Sequence, residues 1–262
     1  IVQNNNDKEW KIAAGAMAVL NDRVPSVMCL GNHDMGPGGN ASTRETLLSK
    51  YFPVVEVKED PTFGGVYDKE PEKLDNYYRL FEAGGRKWLV MALEFGPRND
   101  VVRWAGEVVA THPDRSVFLV THAYMASEGN VRFNRNGGRS QGAAPHNYGV
   151  ARHPDGFHDG EELWQNLVKK HPNFAMIVSG HVCFSALRTD KTDGGTQVHQ
   201  MLCDYQQAPN GGSGFLRLMQ FLPDGVTVRV EDYSPTLDRA SNKPLSKFEL
   251  KLAPLAKGVE IR

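Results

Sequence analysis

Three short apolar segments of the chain are each followed at once by a polar cluster that contains histidine. The clusters are Gly31-Asn32-His33-Asp34, Thr121-His122 and Gly180-His181. Because ligand sites of open α/β sheets gather at the carboxyl ends of strands, we expect the chemistry-bearing side chains of the three clusters to meet at one place. These side chains are Asn32, His33, His122 and His181.

The chemistry of such a meeting point is that of an open metal site. Imidazole nitrogen and amide oxygen suit zinc, iron or manganese, and the three cysteines of the chain offer too little thiolate for a closed structural zinc site. The alternative is that each histidine is an ordinary residue at a strand end, satisfied by backbone hydrogen bonds. Because the strand-then-histidine arrangement occurs three times, the sequence favours the metal site.

The same clusters carry a family resemblance. Gly31-Asn32-His33-Asp34, the isolated His122 and Gly180-His181 resemble the third, fourth and fifth signature blocks of the calcineurin-like metallophosphoesterases, in that order. Further segments are similar to a bacterial branch of that superfamily, and they read LEFGPRNDVVRWA, DGEELW and VHQMLCDYQ. The resemblance therefore covers most of the chain. It implies an α/β fold, an αββα sandwich of mixed sheets flanked by helices, with a binuclear metal centre that hydrolyses phosphate monoesters or diesters.

The resemblance also assigns roles to individual residues. It implies that Asn32, His122 and His181 are ligands of the second of two metal ions, whose identity is zinc, iron or manganese. It places His33 beside the scissile phosphate, where the imidazole stabilises developing charge and protonates the leaving oxygen. Asp34 would hold the other nitrogen of that imidazole, and the alternative for Asp34 is a turn residue that caps the chain after the strand.

The sequence departs from the family pattern in two places. The family's Asp-x-His and Gly-Asp blocks, which supply the first metal's ligands and the bridging carboxylate, normally precede the position of Ile1 and are absent. We therefore expect a single domain over residues 1–262 that is truncated at its N-terminus, with low activity and fewer than two metal ions. Cys183 stands where the fuller motif GHxH has its second histidine, either as a thiolate ligand or as a small buried thiol.

A polar segment at residues 123–157 follows His122 directly and is rich in Gly, Asn and Arg. Long segments without periodicity are usually functional or disordered. The basic residues of this segment form either a rim for an anionic substrate or part of a solvated loop without substrate contact. They are Arg132, Arg135, Arg139 and His146. Tyr205 either lines the same site or is a half-buried residue that contributes only to packing.

Periodicity and end signals predict the elements that must position these residues. Apolar spacing predicts helices at residues 7–20, 43–51, 101–109 and 163–168, the last preceded by the capping-box pair Asp159 and Glu162. Short apolar runs predict buried strands at residues 24–30, 88–93, 116–120 and 174–178. Hairpins are predicted at residues 76–81 with 87–93 and at residues 216–221 with 226–231. This alternation indicates an α/β protein whose antiparallel hairpins supplement a mostly parallel core.

Composition and charge narrow the choice of partners. The 262 residues include 30 Lys plus Arg against 31 Asp plus Glu, and the net charge of −1 argues against a nucleic-acid or anionic-membrane surface. The apolar stretches are far shorter than the roughly 20 residues of a membrane-spanning helix, so we expect no membrane span. The partner that the resemblance implies is a small-molecule phosphoester substrate.

Two other functions stay open. A metal-dependent nuclease on the same scaffold is disfavoured by the near-neutral charge, because polyanion binding relies on many cationic contacts. A degenerate metal-binding or ligand-binding module without catalysis is favoured by the missing first two blocks and opposed by the intact His33 and Asp34. The resemblance leans towards a secreted, periplasmic or envelope-associated bacterial protein.

Overall fold

A computed structural model of the protein describes residues 1–21, 23–126, 130–136 and 143–254. The helices within these ranges are α1 (Asp7–Met17), α2 (Leu48–Tyr51), α3 (Val54–Val57), α4 (Asn99–Thr111) and α5 (Gly160–Asn166). The strands are β1 (Phe63–Val66), β2 (Tyr77–Ala83), β3 (Arg86–Leu93), β4 (Ser116–Thr121), β5 (Phe174–Ser179), β6 (Phe184–Lys191), β7 (Gln197–Asp204), β8 (Leu216–Phe221), β9 (Thr227–Ser234), β10 (Arg239–Ala240) and β11 (Lys247–Lys251).

Seven of these strands form one mixed sheet in the order β1-β2-β3-β4-β5-β7-β6. The central strands β3, β4, β5 and β7 run parallel, and β1, β2 and β6 pair antiparallel towards the two edges. Strands β8 to β11 form a second, antiparallel sheet around β9. The predicted parallel core with supplementary hairpins is therefore confirmed, with β2–β3 and β8–β9 as the two hairpins.

Strand alternation sends neighbouring residues of the large sheet to opposite faces. On one face, Leu89, Ile177 and Leu202 belong to a cluster that includes the apolar sides of α4 and α5. On the other face, a second cluster joins the two sheets. Its members include Trp88, Met176, Met201, Val228 and Val230. The protein is thus mixed α/β, with helices over one face of the large sheet and an antiparallel sheet over the other.

The predicted helices are confirmed best where side chains satisfy free backbone groups. Asp159 accepts from the Glu162 amide and Glu162 accepts from the Asp159 amide, each at 2.9 Å, which is the predicted capping box of α5. The helix predicted at residues 43–51 is too long, since α2 begins at Leu48. The Thr46 hydroxyl accepts a hydrogen bond from the Leu48 amide at 3.2 Å, which competes with a further helical turn. In the described part of the chain, no helix is long and apolar enough to cross a membrane.

The strand prediction at residues 24–30 is wrong, because this segment joins no ladder in the structure. The Met28 amide donates to the Tyr77 hydroxyl at 2.7 Å instead of to a neighbouring strand. Leu30 is nevertheless buried. The apolar run therefore predicts the burial of Leu30 correctly, but it does not predict whether the segment pairs as a strand.

Strands β6 and β7 were not predicted, because buried polar residues interrupt their apolar pattern. In β7, the His199 ring lies 2.9 Å from the Lys251 carbonyl oxygen, and the Gln200 amide donates to the Asp190 carboxylate at 2.9 Å. These hydrogen bonds offset the cost of burying the polar side chains. A pattern of hydrophobic residues alone does not reveal such buried polar positions.

Candidate metal centre

Three polar atoms from distant parts of the chain meet beyond the carboxyl ends of β4 and β5. The Oδ1 atom of Asn32 lies 2.9 Å from Nε2 of His122 and 3.1 Å from Nδ1 of His181, and these two ring nitrogens are 3.2 Å apart. Asn32 and His181 are buried, and His122 is half-buried. The structure brings the three side chains together as predicted, although only His122 and His181 follow strands and Asn32 does not. Their role as metal ligands stays a prediction.

Parallel pairing of β4 with β5 explains why His122 and His181 are neighbours. Val120 and Val178 lie opposite each other in the ladder. His122 and His181 therefore leave the two strands at nearly the same position along the sheet. The Gly180 amide donates to the His122 carbonyl at 2.9 Å, which continues the alignment beyond the strands. The sheet itself therefore sets the distance between the two imidazoles.

Asn32 reaches the same place from a short 3₁₀ turn, Asn32–Asp34. The preceding residue, Gly31, passes so close to the His122 ring that a Cβ atom there would lie 2.9 Å from it. A larger residue at position 31 would displace the imidazole. The glycine of the motif thus allows the turn to approach the histidine closely enough for Asn32 to join it.

His181 adopts a strained backbone conformation. Its φ of +76° lies in the left-handed region, which residues other than glycine rarely occupy. Two hydrogen bonds hold it there: Gln206 donates to the His181 carbonyl at 3.1 Å, and the His181 ring reaches the Ala143 carbonyl oxygen at 2.7 Å. Strain that is over-determined by surrounding contacts is concentrated at functional sites.

Burial favours the form of both imidazoles that binds cations. Burial, followed by the charge of His181, lowers the pKa of His122 well below its usual 6.5, and burial also lowers the pKa of His181. A neutral imidazole keeps one nitrogen lone pair free for a metal. Two such nitrogens and the amide oxygen of Asn32 therefore fit zinc, iron or manganese.

Three aromatic rings enclose the centre. The Phe95 ring centroid lies 6.0 Å from that of His122 and 5.8 Å from that of His181. Phe133 and Tyr148 approach His181 at 5.8 and 5.9 Å. The sequence patterns did not single out these rings, although Phe95 comes two residues after the end of β3, the same strand-end position that identifies the histidines.

Asp34 supports the backbone rather than the His33 ring. Its carboxylate accepts from the Gly31 amide at 2.7 Å and from the Val2 amide at 2.6 Å, which is the predicted alternative of a residue that caps the turn. The predicted hydrogen bond between Asp34 and the His33 ring is not observed among the described residues. The Nδ1 atom of His33 lies 3.0 Å from the Gln3 carbonyl oxygen, so a backbone group orients this imidazole.

Two residues of the predicted basic rim, Arg135 and His146, are paired with carboxylates in the structure. His146 Nε2 lies 3.1 Å from an oxygen of Asp159 and 3.1 Å from one of Glu162, and Arg135 lies 2.9 Å from Glu162. Burial opposes protonation of His146, but hydrogen bonds to Asp159 and Glu162 outweigh it and raise the pKa to about 9. Two cations paired with two carboxylates give no excess positive charge, which disfavours anion binding at Arg135 and His146. Arg139 lies outside the described residues.

Arg132 is a buried structural residue. Its guanidinium pairs with Glu161 at 2.7 Å and with Asp190 at 2.6 Å, and it lies over the Trp164 ring at 4.6 Å. The residue is only 7% exposed. The prediction of a rim role for Arg132 is therefore wrong, because the fold uses both its charge and its planar face.

Tyr205 and Cys183 also have partners of their own. The Tyr205 hydroxyl donates to Asp232 at 2.7 Å, and its ring stacks on Phe215 with centroids 5.3 Å apart, which favours the packing alternative. Cys183 is half-buried, and burial raises the pKa of its thiol. A higher pKa favours the small buried thiol over a thiolate ligand.

One further group of ligand-type side chains occurs in the described part of the chain. His146, Asp159 and Glu162 each place one ligand atom within 4.8 Å of the others. The Arg135 guanidinium already supplies a cation there, so a metal ion would have to displace it. This second group is therefore the weaker candidate, and both a metal ion at the ends of β4 and β5 and the second ion implied by the resemblance stay predictions.

No family model matches the chain. The chain is similar to the uncharacterized protein YvnB of Bacillus subtilis (strain 168), with 30% identity over 276 residues that cover 99% of this chain. The match covers 19% of YvnB, so the chain spans only that share of the length of this curated relative.

Proposed function

We propose that the chain is a metal-dependent hydrolase of phosphate monoesters or diesters. The observation that carries the proposal is the meeting of Asn32, His122 and His181 within 3.2 Å of one another at the ends of parallel strands. The same residues carry the resemblance to the calcineurin-like metallophosphoesterases. The large mixed sheet packed on an antiparallel sheet agrees with the αββα sandwich of that superfamily, which we propose as the fold.

The chain's own residues supply two parts of such a site. Asn32, His122 and His181 would hold the metal, which when bound supplies a Lewis acid that polarises a phosphate oxygen. His33 follows Asn32 directly in the same 3₁₀ turn, which places it next to these residues. The Gln3 carbonyl lies on Nδ1 of His33, so Nε2 is the nitrogen that would protonate a leaving oxygen.

Metal analysis of dialysed protein tests the ligand set. We expect His122→Ala and His181→Ala each to lower the bound zinc or manganese, because a site with three protein ligands is weakened by the loss of any one. His153→Ala is the matched control, since this exposed histidine pairs with Asp155 instead. Unchanged metal content in both ligand variants would remove these histidines from the site.

Hydrolysis assays test the activity and its substrate class. Turnover of p-nitrophenyl phosphate indicates a monoesterase, and turnover of bis(p-nitrophenyl) phosphate indicates a diesterase. Both rates should fall together with metal content in the ligand variants. A chain that binds metal but hydrolyses neither ester, nor an alkyl ester, would instead support the non-catalytic binding module.

A further inference from the structure

The Ala143 carbonyl determines which nitrogen of His181 is available to a metal. Nε2 of His181 lies 2.7 Å from that carbonyl oxygen, while Nδ1 faces Asn32 at 3.1 Å and His122 at 3.2 Å. A carbonyl oxygen only accepts hydrogen bonds, so Nε2 carries the ring proton and Nδ1 carries the lone pair. A partner of this kind fixes both the tautomer and the direction of a ligand imidazole.

Ala143 is the first residue of a strap, residues 143–152, that lies beside the centre. Near its far end, the Val150 amide donates to the Ala41 carbonyl at 2.9 Å. Tyr148, one of the three rings that enclose the centre, belongs to the same strap. The position of the Ala143 carbonyl therefore depends on how the near end of the strap is anchored.

His146 is that anchor. Its Nε2 lies 3.1 Å from Asp159 Oδ2 and 3.1 Å from Glu162 Oε2, the two residues that form the capping box of α5. Its ring also packs against Phe157 with centroids 4.9 Å apart. The His146 side chain is 17% exposed, so these contacts occupy most of its surface.

We propose that His146 is a positioning residue for the metal centre. Through the strap it holds the Ala143 carbonyl on Nε2 of His181 and so presents Nδ1 to the cation. This inference rests on the proposed function, because it requires His181 to be a metal ligand. It gives His146 a role in ligand geometry, in place of the substrate contact that the basic segment suggested.

Binding of Co²⁺ alone to the full chain tests this role without requiring turnover. We expect His146→Ala to weaken Co²⁺ binding about 10- to 100-fold, the usual effect of losing a group that orients a ligand. The number of bound ions should stay the same. The visible absorption of bound Co²⁺ should also change, because it reports ligand geometry, which a loss of stability alone would leave unaltered.

Two further variants keep the test decisive if His146→Ala does not fold. Glu162→Gln retains a capping hydrogen bond to the Asp159 amide but removes one of the two negative charges facing His146, so we expect a smaller loss of Co²⁺ affinity. His153→Ala, just after the strap, is the control and should bind Co²⁺ as the wild type does.

The outcomes separate this inference from the proposed function. Wild-type affinity in folded His146→Ala and in Glu162→Gln would overturn the positioning role and leave the proposed metal centre intact. Loss of a whole Co²⁺ site with the remaining affinity unchanged would make His146 a ligand itself, which also overturns the positioning role. A wild-type chain that binds no Co²⁺ would overturn both.

Discussion

Asp75 is a buried acid that should make the stability of the protein depend on pH. It is 4% exposed, and its Oδ1 atom has no hydrogen-bond partner among the described residues. Burial, followed by the charge of Glu94, raises the pKa of Asp75 from 3.8 to about 7. The folded protein therefore retains a proton on this carboxyl at pH values where the unfolded chain has released it.

The sign of the effect follows from that difference. The unfolded chain ionises at the ordinary pKa of 3.8 and the folded chain near 7, so wild-type stability falls as the pH rises between these values and is level above them. One pKa unit corresponds to about 1.4 kcal/mol, which makes the full loss about 4 kcal/mol. Asp75→Asn removes the ionisation, so its stability relative to the wild type should rise by about 2–3 kcal/mol between pH 5 and pH 8.

Urea unfolding at pH 5 and pH 8 measures this change. The asparagine amide is itself imperfectly bonded at the buried position, which costs about 1–3 kcal/mol at both pH values and leaves the difference between them unaffected. Asp68→Asn is the control, since Asp68 is exposed. If Asp75→Asn differed from the wild type by the same free energy at both pH values, Asp75 would not be protonated in the fold and the reasoning would be refuted.

Two further substitutions test the candidate centre directly. Gly31→Ala brings a Cβ atom within 2.9 Å of the His122 ring, so we expect about tenfold weaker Co²⁺ binding and a loss of about 1–3 kcal/mol in urea unfolding. Gly15→Ala, whose Cβ meets nothing within 4 Å, should leave Co²⁺ binding unchanged and raise the free energy of unfolding by about 0.5–1 kcal/mol, because Gly15 lies within α1. His33→Ala should slow hydrolysis of an alkyl phosphate ester about 100- to 10,000-fold with metal content unchanged, and a near-wild-type rate on that ester would contradict the acid role. The loss should be smaller for p-nitrophenyl phosphate, whose leaving group needs little protonation.

The meeting of His122 and His181 could be predicted because parallel strands end at a common edge of a sheet. Their strands are short apolar runs, so the sequence contains both the position and the chemistry of the two side chains. Asn32 is different, since residues 24–30 form no strand in the structure. It joins the histidines because its turn approaches the His122 ring at Gly31, a contact that no periodicity encodes.

Ion pairing could not be predicted in the same way. Arg132, Arg135 and His146 lie in one polar segment, and their charges alone suggest a surface for anions. Their partners Glu161 and Glu162 lie on α5, and the pairing exists only because the segment folds against that helix. Local patterns give the charge of a side chain, whereas its partner depends on tertiary structure.

Burial has one chemical effect at the candidate centre and at Asp75, with different consequences. In both places it favours the neutral form of the side chain. At His122 and His181 the neutral form is the one that binds a cation, so burial favours the form in which the ligand nitrogens are available. At Asp75 the neutral form belongs to the more stable folded protein, so stability declines as the pH approaches 7. The same desolvation thus favours cation binding at the candidate centre and makes the free energy of unfolding depend on pH at Asp75.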